Sequence, residues 1–462
     1  MMMLTRLLAS LFLGITLISV PAHGDEKAAK TVEHAQVIVV GAGMAGMTAA
    51  LSLAQKGIDV VVLEKEDAVG GRVYSPLLDG VAANLGAQYY FPGIHPLVDK
   101  YLESLPSQAI EPGGFFWRGN FEKAAGDSYT PKAIADPVNR AFQQMRRDFQ
   151  RASKGKEFFF DREPRNTEWD RLEKISSYTY LSKFPPEVFE FFNGEIGVET
   201  GGNLRNLSAI VLVGWNGHGA ETRFILKGGN GLLLEKMNDD LRKAGGRTFV
   251  NSEVSRVSQT RSSVTAECAD GRRYTADYLI MATPAFVTKA IVSALPKEKA
   301  RALTAVSYLP MNELGLQVQN FPKQSMLVWG EPINGIVNQT GTIAGEPDKG
   351  TVVSITITDP EMLKLGDNQL IERAASVLKK ISPEFDPGRD ILAYAVKRWK
   401  NGIFELPPSF LSEYQKDLKA PAGRVFFAGD YLADPSLMGA AWSGSRAADE
   451  IIKTMGAKLN SR

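Results

Sequence analysis

Residues 37–46 read VIVVGAGMAG, and no other stretch constrains the fold as tightly. An unbroken apolar run ending in Gly41, Gly43 and Gly46 is the pattern of a buried parallel strand that turns sharply into a helix. The glycines have separate duties: a tight turn, room for the backbone to approach a pyrophosphate, and close packing of helix on strand. MAGMTAALSLAQKG reads as that helix, ending at Gly57, and IDVVVLEK as a second strand. The helix begins near Gly43, with Ala45 and Gly46 in its first turn, and aims free N–H groups and the positive end of its dipole at the phosphates. Glu64 follows Gly46 by 18 residues. A carboxylate there accepts hydrogen bonds from ribose hydroxyls and repels the extra phosphate of NADP.

At 462 residues the chain exceeds the roughly 250 to 300 at which one core stops growing, so two domains are expected. With 53 basic and 52 acidic side chains its formal charge is +1, and no global field draws it to nucleic acid. The opening MMMLTRLLASLFLGITLISVPAHG places Arg6 before an apolar stretch from Leu7 to Val20 and a small-residue site at Ala22 and Gly24. Residues 1–24 therefore read as a secretory signal peptide, since fourteen residues fall short of the about 20 a membrane span needs. An uncleaved anchor is the alternative. Export is expected, to a bacterial periplasm, by the general route because the leader lacks paired arginines.

The single cysteine, Cys268, excludes an intramolecular disulfide, and in TAECADGRR it reads as a small packed side chain. His23, His34, His95 and His218 are scattered without metal-ligand spacing, so no metal site is expected. No GxSxG stretch offers a serine nucleophile. From about Ile110 to Glu221 the chain is helix-like, and its basic cluster Arg146, Arg147, Arg151, Lys154 and Lys156 reads as a solvated helix face. Beyond Phe224 come a glycine turn, an amphipathic helix and several strands, then strands and one helix to about 395, and finally a strand, loop and helix. The fold class is α/β. A Rossmann-like dinucleotide domain is assembled from residues 35–105, 222–300 and 396–457, and an α+β substrate-binding domain comes from 106–221 and 301–395.

Six residues past Glu64 comes GGRVYS, with Gly70, Gly71 and Arg72. Here the chain resembles the FAD-containing amine oxidase superfamily, and the resemblance runs on through LGAQYY (85–90), FILKGGNGLLLEKM, NSEVSRV, YLIMATP and FFAGDYLADPSLMGAAWSGSRAA. It implies FAD as cofactor, with Arg72 against the pyrophosphate, where an arginine fork suits two phosphates. It also implies that Gly86, Ala87 and Gln88 run along the flavin and that the backbone near Val254 holds adenine. Gly429 and Asp430 would lie by the central hydroxyls or phosphates, and Leu437 and Met438, opening the last helix, near the flavin ring.

The same resemblance implies oxidation of a small amine by hydride transfer to flavin N5, with an amine held between aromatic side chains. Trp399 matches an aromatic of the substrate site, Phe404 one wall of the sandwich, and Ser436 falls at the other wall. Ile403 stands where some members carry the cysteine bonded to flavin, so FAD is expected to be non-covalent. The family's lysine belongs in PMNELGLQVQNF, yet no lysine lies between Arg301 and Lys323; the electron acceptor is then O₂ or a quinone or another carrier. Two further readings stay open: a desaturase or dehydrogenase acting on a lipophilic, carotenoid- or porphyrinogen-like substrate, and a flavoprotein that binds a partner without catalysis.

Overall fold

The computed structural model describes residues 32–459 apart from 94, 125–129, 155–159, 161–164, 203, 218–221, 324–325, 331–335 and 341–348. The leader, Lys156 and His218 lie outside the described residues. The apolar run forms the inner part of strand Val32–Val40, parallel to Val60–Leu63 on one side and to Arg273–Met281 on the other. Val37, Ile38 and Val39 have no exposed surface. A parallel strand covered on both faces needs no polar alternation, which is why the run reads as unbroken. The strand begins at Val32, ahead of the domain start expected at residue 35, because residues 273–276 offer it a parallel ladder.

Arg247–Phe249 extends this sheet past Val60–Leu63, and Val425–Phe427 adds in parallel to Arg273–Met281. Val264–Cys268 and Val254–Gln259 complete it in antiparallel fashion. The sheet therefore draws on the first, middle and last parts of the chain. Helix Met44–Ala54 packs against the closing helix Leu437–Leu459. Their approach is close enough that a Cβ on Gly444 would come 2.2 Å from the Ala45 carbonyl oxygen.

The second sheet runs in the order Ile391–Phe404, Tyr308–Val318, Thr351–Ile357, Ile336–Thr340, Met326–Gly330, Ser107–Trp117 and Asn120–Lys123, with Arg223–Leu226 paired to Ser107–Trp117. Two boundaries differ from expectation. Arg223–Leu226, expected in the dinucleotide domain, belongs to this second sheet, as does all of Ile391–Phe404, expected to change domain at 396. Both serve as bridges, leaving one sheet and ending near the other. Helix Asp367–Ile381 covers one side through Leu370, Ala374, Val377 and Leu378. Helices Ala135–Ser153, Pro186–Glu199 and Ala209–Asn216 build the aromatic core around Phe115, Phe191 and Phe192. Arg146, Arg147 and Arg151 are exposed on the first of these while Met145 is buried, so the basic cluster is a solvated face.

The helix crossing makes a test by sign. In an ordinary helix interior Gly→Ala stabilises by about 1 kcal/mol. Gly444→Ala should instead lower stability, by about 1–3 kcal/mol, through overpacking against Ala45, as measured by chemical unfolding of the FAD-loaded protein; a stabilised variant would contradict the crossing.

Candidate active site

Short-range geometry assembles the first half of the site. Gly41, at φ +102°, turns the chain out of its strand, and a Cβ on Gly46 would meet the Gly41 carbonyl oxygen at 1.9 Å. The Gly70 N–H donates to the Ala42 carbonyl at 3.0 Å, and Gly71, at φ +59°, lies against the Gly43 Cα. Two glycine loops are thus laid side by side. A Cβ added to Gly43 would meet only the Gly70 oxygen, at 3.9 Å. No protein atom needs that glycine to be small; open space lies before it. The helix behind has no side chain capping its N-terminus, so its first N–H groups are left for an anion.

Glu64 is buried at the end of Val60–Leu63 and accepts hydrogen bonds from the N–H groups of Ala42, at 2.7 Å, and Glu66, at 3.0 Å. The Ser252 N–H donates to its carbonyl at 2.7 Å, which brings the turn before Val254 alongside. Arg72 reaches across the chain. Its guanidinium pairs with the buried Asp430 carboxylate at 2.7 Å and donates to the Gly402 carbonyl at 3.1 Å. Gly429 is confined because a Cβ would strike the Tyr431 ring at 2.5 Å, and its N–H donates to Ser443 Oγ at 2.8 Å. Gly86 lies where a Cβ would sit 2.0 Å from the Arg72 carbonyl, to which the Ala87 N–H donates at 3.0 Å. Gly41, Gly43, Ala45, Gly46, Glu64, Gly70, Gly71, Arg72, Gly86, Ala87, Val254, Gly429 and Asp430 therefore converge on the carboxyl ends of the parallel strands.

The substrate-side residues fare differently. The Trp399 indole N–H donates to the Leu85 carbonyl at 2.8 Å, which ties Ile391–Phe404 to the segment running through Gln88. Phe404, expected as a wall of the aromatic pair, has no exposed surface and packs with its ring centre 5.1 Å from that of Phe410, tilted to it, in the main core. It is core packing here, because the strand turns its last side chain inward. Ser436, expected at the opposite wall, is the cap of the last helix: its Oγ accepts from the Gly439 N–H at 2.9 Å. Leu437 and Met438 open that helix, Met438 being buried. Tyr90 is also buried, its hydroxyl donating to the Asn230 carbonyl.

Three acids escaped the sequence reading. Gln88 Nε2 donates to Glu313 at 2.8 Å, and Thr356 Oγ1 donates to the same carboxyl; burial pushes it well above the usual carboxylate range, against those hydrogen bonds. An acid in the mostly apolar ELGLQV was the available signal. Tyr89 donates its hydroxyl to Glu199, whose carboxyl burial pushes up to about 7, opposed by the charge of Arg223 and a hydrogen bond from Trp329. Asp434 accepts from the Trp215 indole at 3.1 Å, and burial pushes it up to about 6 against hydrogen bonds from Ser436 and Trp215. No local pattern marks these last two, since Tyr89 and Trp329 on one side and Trp215 on the other are remote from them in sequence.

Two glycine loops, an acid at the second strand's end and an uncapped helix facing open space define a dinucleotide-binding α/β protein. Its family is narrower. The chain belongs to the flavin containing amine oxidoreductases, whose sequence profile matches residues 44–452. It is accordingly an oxidoreductase, and the dinucleotide that the family implies is FAD. Among curated relatives, flavin-containing amine oxidase A of Sus scrofa is 26% identical, covering 94% of this chain and 88% of the relative. Flavin-containing amine oxidase B of Homo sapiens is 25% identical, over 91% and 86%. Among solved structures, wild-type putrescine oxidase bound to putrescine superposes with a TM-score of 0.75 at 21% identity, covering 92% of this chain and all of that one. Cyclohexylamine oxidase from Brevibacterium oxydans gives 0.73 at 17% identity, over 91% and 99%.

Two tests follow from this geometry. Glu64→Ala should weaken FAD binding about 10- to 100-fold through the loss of charge-assisted hydrogen bonds, as read by flavin absorbance per protein after gel filtration; unchanged flavin content would remove Glu64 from the site. Asp434 makes a pH test. Its unfolded form titrates near 4, so the folded chain holds the proton more tightly, and stability falls as pH rises from about 4 to about 6. Asp434→Asn should therefore gain on the wild type across that window, by up to about 3 kcal/mol at neutral pH. Unfolding measured from pH 4 to 7 should show the gap widening, and a constant gap would contradict the buried carboxyl.

Proposed function

We propose that the chain oxidises a small amine to an imine with FAD held non-covalently. The observation that carries this reading is the family match over residues 44–452 together with the convergence of both chain ends on Arg72 and Asp430. Bound there, FAD would supply a hydride acceptor at its N5 atom. The chain's own residues hold and position. The N–H groups at the start of Met44–Ala54 and the Arg72 fork take the pyrophosphate, Glu64 the ribose hydroxyls, and Asp430 keeps the Arg72 guanidinium in place. Trp399 and Ile403, carried on a strand tied to Leu85 and packed on Gly201, close the substrate side against water.

In balance, the amine's α-carbon gives up a hydride and its nitrogen a proton as the C=N bond forms, and water then releases a carbonyl and ammonia or a smaller amine. The electrons pass on to O₂, a quinone or another carrier. Non-covalent attachment is supported by the position of the lone thiol. Cys268 is buried opposite Val254, at the adenine side, while Ile403 stands in the second sheet. Export through the leader is part of the same proposal. Among the described residues no helix is long and apolar enough to cross a membrane.

Purified, FAD-loaded protein should bleach anaerobically with primary amines and recolour at a measurable rate when air or a quinone is admitted. Bleaching by polyenes or porphyrinogens alone would favour carbon–carbon dehydrogenation, and bleaching by nothing a binding role. Denaturation should release all the flavin into solution; flavin that stays with the precipitated chain would overturn non-covalent binding.

A further inference from the structure

Arg223 opens the strand Arg223–Leu226, and that strand is held to the Gln88 segment. The Tyr90 N–H donates to the Phe224 carbonyl at 2.8 Å, and the Phe224 N–H returns a bond to Tyr90 at 2.9 Å. The Arg223 guanidinium carbon lies 5.3 Å from the Tyr89 ring centre, 5.4 Å from Phe91 and 5.0 Å from Trp329. Three rings thus cage one cation, in the range where cation–π attraction acts. Its hydrogen bonding is another matter. Nε is buried with no acceptor, and no carboxylate among the described residues lies within ion-pair distance of the guanidinium.

Glu199 is the neighbouring acid, and its oxygens are already engaged. The Tyr89 hydroxyl and the Trp329 indole both donate to it, so it braces two rings of the cage instead of pairing with the cation. With its carboxyl pushed up to about 7 by burial, it compensates Arg223 only in part at neutral pH. The cage also lies at the substrate side of the molecule. Two residues after Glu199, the space at Gly201 is closed by Leu309 and Ile403, where a Cβ would meet their side chains at 2.6 and 3.1 Å. Gln88, next to Tyr89, is bonded to Glu313 on the strand beside Ile391–Phe404.

An arginine held in a fixed plane with a donor lacking an acceptor fits a planar, two-oxygen acceptor. A second cation would meet repulsion, and a neutral apolar group would leave that donor unmet. We propose that Arg223 binds a carboxylate of the substrate, so that the amine oxidised by this chain is an amino acid. The inference rests on the amine-oxidation reading and narrows it. Stacking on Tyr89, Phe91 and Trp329 fixes the plane of the guanidinium, and with it the direction from which the carboxylate enters.

The test uses the full FAD-loaded chain, with benzoate as an inert carboxylate and phenylalanine and phenethylamine as a pair that differs by one carboxylate. Benzoate should perturb the visible flavin spectrum of the wild type, binding about 10- to 100-fold more weakly to Arg223→Gln, with Arg223→Lys between them. The ratio of anaerobic flavin reduction efficiency, phenylalanine over phenethylamine, should exceed one in the wild type and fall by a similar factor in Arg223→Gln. A wild type that ignores benzoate, or that prefers phenethylamine, overturns the proposal even if both variants fail to fold. Equal benzoate affinity in wild type and a flavin-loaded Arg223→Gln does the same. Benzoate bound through Arg223 without reduction by either amine would sink amine oxidation and leave the anion site standing.

Discussion

Arg72 and Asp430 stand at opposite ends of the chain, and their 2.7 Å contact closes the site between them. Each is placed by its own backbone: Arg72 by the paired glycines Gly70 and Gly71, Asp430 by Gly429 and the short turn that follows Val425–Phe427. The Asp430 carboxylate is buried, so without the guanidinium it would be an uncompensated charge in a poorly solvated place, a costly arrangement. The same guanidinium donates to the Gly402 carbonyl, which adds the long strand of the second sheet to the junction. One side chain therefore fixes the relation of the first glycine loops, the last motif and the substrate-side strand.

Around this junction the acids are handled without matching cations. Glu313, Glu199 and Asp434 are bound by amide, hydroxyl and indole donors, and all three hold their protons more tightly than free carboxyls do. Burial outweighs the hydrogen bonds in each case. The result is a substrate side that carries less negative charge at neutral pH than its residue types suggest, with Arg223 as a cation enclosed by rings.

What was legible in the sequence was whatever the backbone dictates over a short span. The glycine turn, the acid ending the second strand and the paired glycines before Arg72 can be read because each requires a particular residue at a particular spacing. Phe404 and Ser436 were matched by position in a motif, but their roles depend on what lies opposite: Phe410 behind one, the Gly439 N–H above the other. Arg223, Glu199 and Trp329 come from separate elements and meet only through the fold, as do Trp215 and Asp434. The domain limits near 222 and 396 were misplaced for a related reason. Arg223–Leu226 and Ile391–Phe404 look like ordinary strands of either sheet, and only their partners decide.

The contact of Ala45 with Gly444 has a temporal side. The first strand and helix emerge early in synthesis, yet the surface that covers that helix, and the strand Val425–Phe427 beside it, arrive only with the final tenth or so of the chain. Until then the nascent nucleotide cradle lacks its far wall, its counter-ion and its roof. Ribosome-bound chains of this protein therefore cannot complete the cradle until synthesis is close to termination.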